Sequence, residues 1–526
     1  MQGVLARWAP ALVTPSTLRA PRSLSALAMC AVATACAQSP AATTTPAPAT
    51  PAPAAAADTQ RVSFDRSKRP ELGPAPSVSL PPIQTRELAN GLKIMVVEQH
   101  ELPVADFVLL VGTGAEADPA GRSGLATLTA GLLSEGTTAR SALQIADQEA
   151  FLGVEVDAVA GWDASRVVLH APTAQLDSAL ALFADVALRP AFPAKELERV
   201  RKERLTSLIQ LKDRPPAIAD RAYASIVFGG AHPYGQPMSG TEAATRAITR
   251  SDVERFYRAA YRPNNATLIA VGDVTADDVA RRAEALFGAW ARGTPPAAKF
   301  TTPPRAGATT VYLIDKPGAV QSSIRIGGVG VPRSTEDYFA LAVMNTILGG
   351  SFTSRLNQNL RETKGYTYGA RSRFDMRKVA GPFTASAEVT GTKTDSSLIE
   401  FMKELTTIRD TVPAVELAKA KSFLQLQLPG SFETTGSIAS QLVPLVLYGL
   451  PLDYYNGYVQ QIERVTQADV QRVARRYVDP SNVVVVVVGD RKSIEPGLKA
   501  LGVGSIVLRD LEGKVAGGSV GAPQTK

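Results

Sequence analysis

The sequence predicts an α+β protein of two homologous halves, each a mostly antiparallel sheet packed with helices in a sandwich-like arrangement. An internal repeat carries this first. "SDVERFYRAAYRPNNATLIAVGDV", from Ser251, aligns with "ADVQRVARRYVDPSNVVVVVVGD", from Ala468. Asp252, Pro263, Asn265, Gly272 and Asp273 meet Asp469, Pro480, Asn482, Gly489 and Asp490 at one offset of 217, without a gap. Each copy reads as a short helix, a Pro/Asn turn and a buried apolar strand closed by Gly-Asp. The second observation is size. A chain of 526 residues, 45% hydrophobic and 20% charged, is too long for one ordinary core and suits two domains of roughly 200 residues.

Taken in order, residues 1–36 read as an export signal. Arg7, Arg19 and Arg22 precede the apolar stretch "LSALAMCAVATA", which is too short to span a bilayer core of ~30 Å as a helix. "ATAC" resembles a bacterial lipoprotein cleavage box, with Ala33 where leucine is commoner, and makes Cys36 the expected lipid-modified residue. Simple signal cleavage and retention in the cytoplasm are the alternatives. The expected location is the periplasm, with membrane contact only through that anchor. Cys30 and Cys36 are the only cysteines, so the mature domains are expected to hold neither disulfide nor thiol chemistry. Residues 37–80, Pro/Ala/Thr-rich above all over 37–57, form a tether that cannot bury a core.

Seven basic and two acidic side chains lie in residues 1–70, so +5 of the net +7 sits there. The remainder is near neutral, with no basic face for nucleic acid. The first half, 81–292, opens with "RELANGLKIMVVEQ", a hairpin-type Asn90-Gly91 turn before an apolar strand. A Pro-rich linker, 293–308, precedes the second half, 309–508, in which "ATTVYLIDKPGAVQSSIRIGG" repeats the strand and turns at Pro317-Gly318. An apolar helix follows in each, "GLATLTAGLLSEG" and "YFALAVMNTILGG", and then long amphipathic helices such as the one with Leu176, Leu180 and Phe183 at helical spacing. Residues 509–526 read as a disordered tail.

Over about residues 80 to 505 the chain resembles the pitrilysin/insulysin-type inverted-zincin peptidases, the insulinase-like and processing-peptidase-like family that includes the non-peptidase core subunits of respiratory complex III. The resemblance rests on "LANGLKIMVVEQHELPVADFVLLVGTGAEAD", "GLATLTAGLLSEGT", "HPYGQPMSGTE", "YRPNNATLIAVGD" and "LRETKGYTYG". It implies two halves of the processing-peptidase type. Active members carry H-x-x-E-H, because two histidines four apart on a helix grip one Zn²⁺ while the glutamate serves as general base. Aligned on Gly124, Ala126 and Gly136-Thr137, the histidine positions fall at Thr127 and Gly131 and the glutamate at Ala130. None binds zinc or moves a proton, although the three are expected to share one helix face opposite Leu125, Leu128 and Leu132.

His100, His170 and His232 are the only histidines, and no spacing among them suggests a metal site. His100 reads as a solvated turn residue, His170 as packed or hydrogen-bonded at a strand end, His232 as part of a loop without metal duty. Glu203, near the family's third ligand position, reads as an exposed helix charge.

The resemblance further implies that Arg361 and Tyr368, seven apart in "LRETKGYTY", hold a substrate backbone. A guanidinium and a phenol bind peptide carbonyls and stabilise a developing oxyanion. The helix bearing Leu356, Leu360 and Arg361 is expected to end at a left-handed Gly365. On spacing alone Arg361 is equally a surface helix charge and Tyr368 a packed strand aromatic. Gly349 and Gly350 mark either close backbone approach to a substrate or a tight helix end. A substrate clamp without a metal site is expected of the zinc-less subunit of a heteromeric metallopeptidase, with no cofactor on this chain and zinc in a homologous partner. The two subunits would close around a peptide or unfolded protein held as an added strand. The other reading is a non-catalytic scaffold or peptide-binding protein of the cell envelope. An independent hydrolase lacks any Gly-x-Ser-x-Gly elbow, thiol or carboxylate pair.

Overall fold

A computed structural model describes residues 67, 81–304 and 307–515. The expected signal, the lipidation position Cys36 and most of the tether and tail lie outside the described residues. The first half contains strands β1 (Gln84–Glu87), β2 (Lys93–Glu98), β3 (Val104–Val111), β4 (Glu155–Ala160), β5 (Ser165–Pro172) and β6 (Ala266–Gly272). Its helices are α1 (Leu125–Gly131), α2 (Ala142–Leu152), α3 (Leu176–Leu188), α4 (Ala194–Leu211), α5 (Pro215–Phe228), α6 (Glu242–Ala247), α7 (Arg250–Ala260) and α8 (Ala276–Phe287).

The second half repeats the plan. It has β7 (Thr310–Asp315), β8 (Gln321–Val329), β9 (Thr367–Phe374), β10 (Pro382–Thr390), β11 (Val484–Gly489) and β12 (Ser505–Arg509). Its helices are α9 (Tyr338–Asn345), α10 (Arg355–Asn357), α11 (Thr394–Asp410), α12 (Ala414–Gln427), α13 (Thr435–Tyr448), α14 (Tyr458–Arg464), α15 (Gln467–Tyr477) and α16 (Arg491–Leu501).

Within the described residues the sheets run β1-β2-β6-β3-β5-β4 and β12-β7-β11-β8-β10-β9. In each, the first long strand pairs parallel with the repeat strand, β2 with β6 and β7 with β11, while the three pairings that follow are antiparallel. The edges beside β2 and β7 differ: β1 precedes β2 and pairs antiparallel, whereas β12 ends the described fold and pairs parallel to β7. The repeat has a local cause. Thr249 with Asp252, and Thr466 with Asp469, form capping boxes that start α7 and α15. Gly272 closes β6 at φ +139, where a Cβ would lie 2.3 Å from the Val104 carbonyl oxygen.

The halves exchange one helix each. α5 leaves its own sheet and packs Ile218, Tyr223 and Phe228 on Ile314, Val484, Val486 and Val488 of the second sheet. In return α13 sets Ile438, Ala439, Leu442 and Leu445 against Met95, Val97, Val108, Leu110, Ile269 and Val271 of the first. Polar anchors fix both crossings. Arg325 on β8 donates to Asp220 of α5 at 2.6 Å, and Thr435 of α13 donates to Asp106 of β3 at 2.5 Å.

A polar seam lies beside these helices. Tyr234, from the "HPYG" stretch, donates to Asp163 at 2.5 Å and lies edge-on to Trp162. From the second half, the Arg377 guanidinium stacks 4.4 Å from the Trp162 ring and 4.5 Å from that of Tyr234, and the Lys378 backbone N–H donates to Asp163 at 2.8 Å. Glu116, buried nearby, is pushed up to about 8 by burial, against the opposing pull of Lys378.

Candidate functional site

Helix α1 carries the three positions where a metal motif would stand. It starts at Gly124, held at φ +87, and Asp118 caps it by accepting from the backbone N–H groups of Gly124 at 2.7 Å and Ala126 at 2.8 Å. The Thr127 hydroxyl reaches the carbonyls of Met238 at 2.8 Å and Gly124 at 3.1 Å. That Gly124 carbonyl also accepts from the Arg204 guanidinium at 2.6 Å. Ala130 is fully buried and Gly131 is exposed. The expected common face is therefore corrected: Thr127 and Gly131 lie outward one turn apart, while Ala130 belongs to the packed side with Leu125, Leu128 and Leu132. A short helix wedged between a sheet and a second layer leaves too narrow an outer face for all three.

The position is filled from within the chain. The Met238–Gly240 backbone lies on the start of α1 so closely that a Cβ on Gly124 would meet the Gly240 Cα at 2.9 Å. Arg204 and Asp118 face one another in this buried place. Burial pushes Asp118 up to about 7, against its backbone hydrogen bonds and the Arg204 charge, and burial pulls Arg204 down to about 10. The donor set is one hydroxyl turned to carbonyls, beside a buried cation. It does not fit Zn²⁺, which takes imidazole, thiolate or carboxylate ligands. Among the described residues no three His, Cys, Asp or Glu side chains gather closely enough to hold a metal ion.

Glu203 points outward and pairs with Arg199 at 2.8 Å. Its neighbour Arg204 is the residue that sequence reasoning missed. A signal existed: Leu197, Arg201, Arg204 and Leu208 are spaced four, three and four apart, so two arginines sit in the apolar stripe of α4. Arg201 satisfies itself on the carbonyls of Thr245 and Ile248.

The histidines are separate and structural. His100 pairs with Asp273 at 2.7 Å, which raises its pKa. His170 lies 3.1 Å from Asp106, and His232 accepts from the Tyr234 N–H at 3.0 Å, with burial pushing its pKa down.

In the second half the helix after β8 is irregular. Thr346–Gly350 and Gln358–Thr363 are π turns, a geometry that recurs at functional sites. Gly349 and Gly350 lie in the first. A Cβ on Gly349 would stand 2.2 Å from the Ser372 backbone nitrogen, and one on Gly350 2.7 Å from the Asn345 amide nitrogen. The close approach at Gly349 is thus to strand β9 of the same chain. The chain itself accounts for the glycine at that position.

Arg361 lies in the last turn of the second π segment, and Gly365 reverses the chain at φ +64, as its sequence position suggested. The Arg361 guanidinium stacks 4.4 Å from the centre of the exposed Phe352 ring. Tyr368 is 90% exposed on edge strand β9. It sits where the register with β10 slips between Ala387 and Val389, so that Tyr368 and Gly369 together oppose Glu388; such bulges re-aim side chains. No hydrogen bond or ring contact joins Arg361 to Tyr368 among the described residues. Both stand at the same end of β9; the Arg361 guanidinium lies 3.5 Å from the Glu362 carboxylate, and the Tyr368 phenol has no hydrogen bond among the described residues.

Residues 93–242 match the family model of insulinases, peptidase family M16, and residues 247–424 match the model described as the peptidase M16 inactive domain. An uncharacterized zinc protease of Mycobacterium tuberculosis is 28% identical over 440 residues, 82% of this chain and 99% of its own. Among solved structures, a peptidase M16 inactive domain from Pseudomonas fluorescens aligns with a TM-score of 0.72 at 28% identity, over 77% of this chain and 98% of that one. A protease from Helicobacter pylori aligns with a TM-score of 0.73 at 21% identity, over 78% and 100%, a likeness of fold. The chain is peptidase-like in both halves and belongs to the insulinase family, peptidase family M16.

Proposed function

We propose that this chain is the zinc-less subunit of a heteromeric peptidase, lending Arg361 and Tyr368 to the site of a zinc-bearing homologous partner. The observation that carries the reading is Tyr368, a large aromatic held out on a bulge with no hydrogen bond or ring contact among the described residues. A phenol so placed is a donor awaiting an acceptor, and a peptide carbonyl supplies one. In this reading an extended peptide lies between two subunits that close around it. Its carbonyl receives the guanidinium of Arg361 and the phenol of Tyr368, which hold it and stabilise negative charge developing on its oxygen. Metal and general base belong to the partner, since Thr127, Ala130 and Gly131 offer neither. An exported chain tied to the membrane through Cys36 would place this assembly in the periplasm.

The test is hydrolysis of a quenched fluorescent peptide by the complex captured from its native cells. Wild type and Tyr368→Phe are run side by side, with a zinc chelator as control. Chelator-sensitive cleavage that falls roughly tenfold or more in the variant is expected, because one oxyanion donor is typically worth ~10²–10³ in rate. Cleavage unchanged by the substitution would make the chain a scaffold beside an enzyme.

A further inference from the structure

We infer that the free edge of β9 is a strand-addition site that selects extended peptides with acidic side chains at alternate positions, through Arg371 and Arg373. The inference rests on the proposed function and names its substrate class. β9 ends its sheet: one edge pairs with β10, and the other is unpaired among the described residues. Its outward backbone groups are a template for another extended chain.

Arg371 and Arg373 are both exposed on one face of that strand, about 7 Å apart along it. Across the ladder they face Ser386 and Thr384, which are small and neutral. Neither guanidinium has a hydrogen bond or ion pair among the described residues. One strand further in, the contrast is plain: Arg325 on β8, in the same row as Ser386 and Arg371, is neutralised by Asp220 at 2.6 Å and Glu388 at 2.9 Å. The inner cation is satisfied; of the outer two, Arg373 feels the half-buried Asp375 carboxylate, which Arg377 already pairs at 2.5 Å, and neither makes an ion pair of its own among the described residues.

Charges on an edge strand commonly deter pairing. Two exposed cations, with the nearby Asp375 half-buried and committed to Arg377, deter basic strands while inviting acidic ones. A strand added alongside β9 presents every second side chain to this face, so carboxylates two residues apart meet both guanidiniums. The bulge at Tyr368 and Gly369 ends the regular edge, and there the added strand runs on to Tyr368 and Arg361. The matching edge of the first half has the opposite sign: β4 exposes Glu155 and Asp157. An acidic peptide is therefore turned away from β4 and toward β9. Continuity with Arg361 and Tyr368 favours a peptide over the β4 edge of a second copy as the occupant.

The test is fluorescence anisotropy on the full chain with three labelled proline-free decapeptides. One alternates Glu with Thr and Val, one carries Lys in place of Glu, and one is the acidic peptide N-methylated at alternate amides. The acidic peptide is expected to bind roughly five- to tenfold tighter than the lysine peptide, since exposed ion pairs are individually weak. The preference is expected to invert in R371E/R373E, and N-methylation to abolish binding. Equal binding of the acidic and lysine peptides would overturn the inference, as would undiminished binding of the N-methylated one. Self-association that vanishes in R371E/R373E, without acidic-peptide binding, would assign the edge to a second copy. The proposed function is read separately: a Tyr368→Phe effect on hydrolysis without charge preference sinks only this inference, and the reverse sinks only that proposal.

Discussion

In the first half, α1 closes after seven residues onto Arg204 and the Met238–Gly240 backbone. In the second, the helix at the same topological position, α9, runs into a π turn, and a second π turn carries Arg361. One sheet plan thus supports a sealed place and an open one. The sealed place is held by a guanidinium, a capping carboxylate and backbone. The open place keeps its aromatics in water. The difference teaches that one sheet plan tolerates two treatments of the same position: the first half packs it with its own side chains and backbone, and the second leaves Phe352 and Tyr368 exposed.

Substitutions sharpen this contrast, and the largest effect is expected where the halves are joined. Phe228→Ala removes a fully buried ring from the core between α5 and the second sheet, at about 3–5 kcal/mol. Urea unfolding followed by probes in each half is expected to remain one transition; two separated transitions would break the picture of mutual dependence. Arg204→Met follows, at about 3 kcal/mol, because Asp118 is left buried without its counter-charge.

The folded pKa of Asp118, about 7, lies above its ordinary value of 3.8. Its contribution is therefore fully present in acid and lost as pH rises through about 7. The deficit of Arg204→Met is expected to be larger at pH 8 than at pH 5 in urea midpoints. Glu116 behaves likewise, with a folded pKa of about 8. Glu116→Gln is expected to be near neutral at pH 4, with a gain that grows as pH rises above 4.5 and is about 2–3 kcal/mol larger at pH 9 than at pH 6. At the small end, Tyr234→Phe removes the hydrogen bond to Asp163 at about 1–2 kcal/mol, while Tyr368→Phe changes stability by less than about 0.5 kcal/mol. Equal thermal shifts for the two tyrosines would erase the distinction between seam and open edge.

The repeat was legible because its determinants are local: Asp252 and Asp469 cap helices, and Gly272 and Gly489 end strands, at one offset. The exchange of α5 and α13 was not. Helical periodicity reveals that a face is apolar without naming the sheet that will cover it. Thr127, Ala130 and Gly131 could be read as lacking ligands, since that depends on residue type alone. Ala130's burial and Arg204's place beneath α1 depend on how α4 and the Met238–Gly240 stretch dock, which no local pattern encodes. Gly349 was ambiguous for the same reason, its close neighbour Ser372 being set by the path of β9.

The exchanged helices also set an order of events during synthesis. The first sheet is complete once β6 has emerged, yet Met95, Val97, Val108, Leu110, Ile269 and Val271 stay uncovered until Thr435–Tyr448 has been made. A nascent chain halted between these points presents a bare apolar sheet face to chaperones. Genes cut at the Pro-rich linker would yield two fragments, each exposing a surface that only the other can cover, so co-expression rather than separate refolding is the route to reassembly.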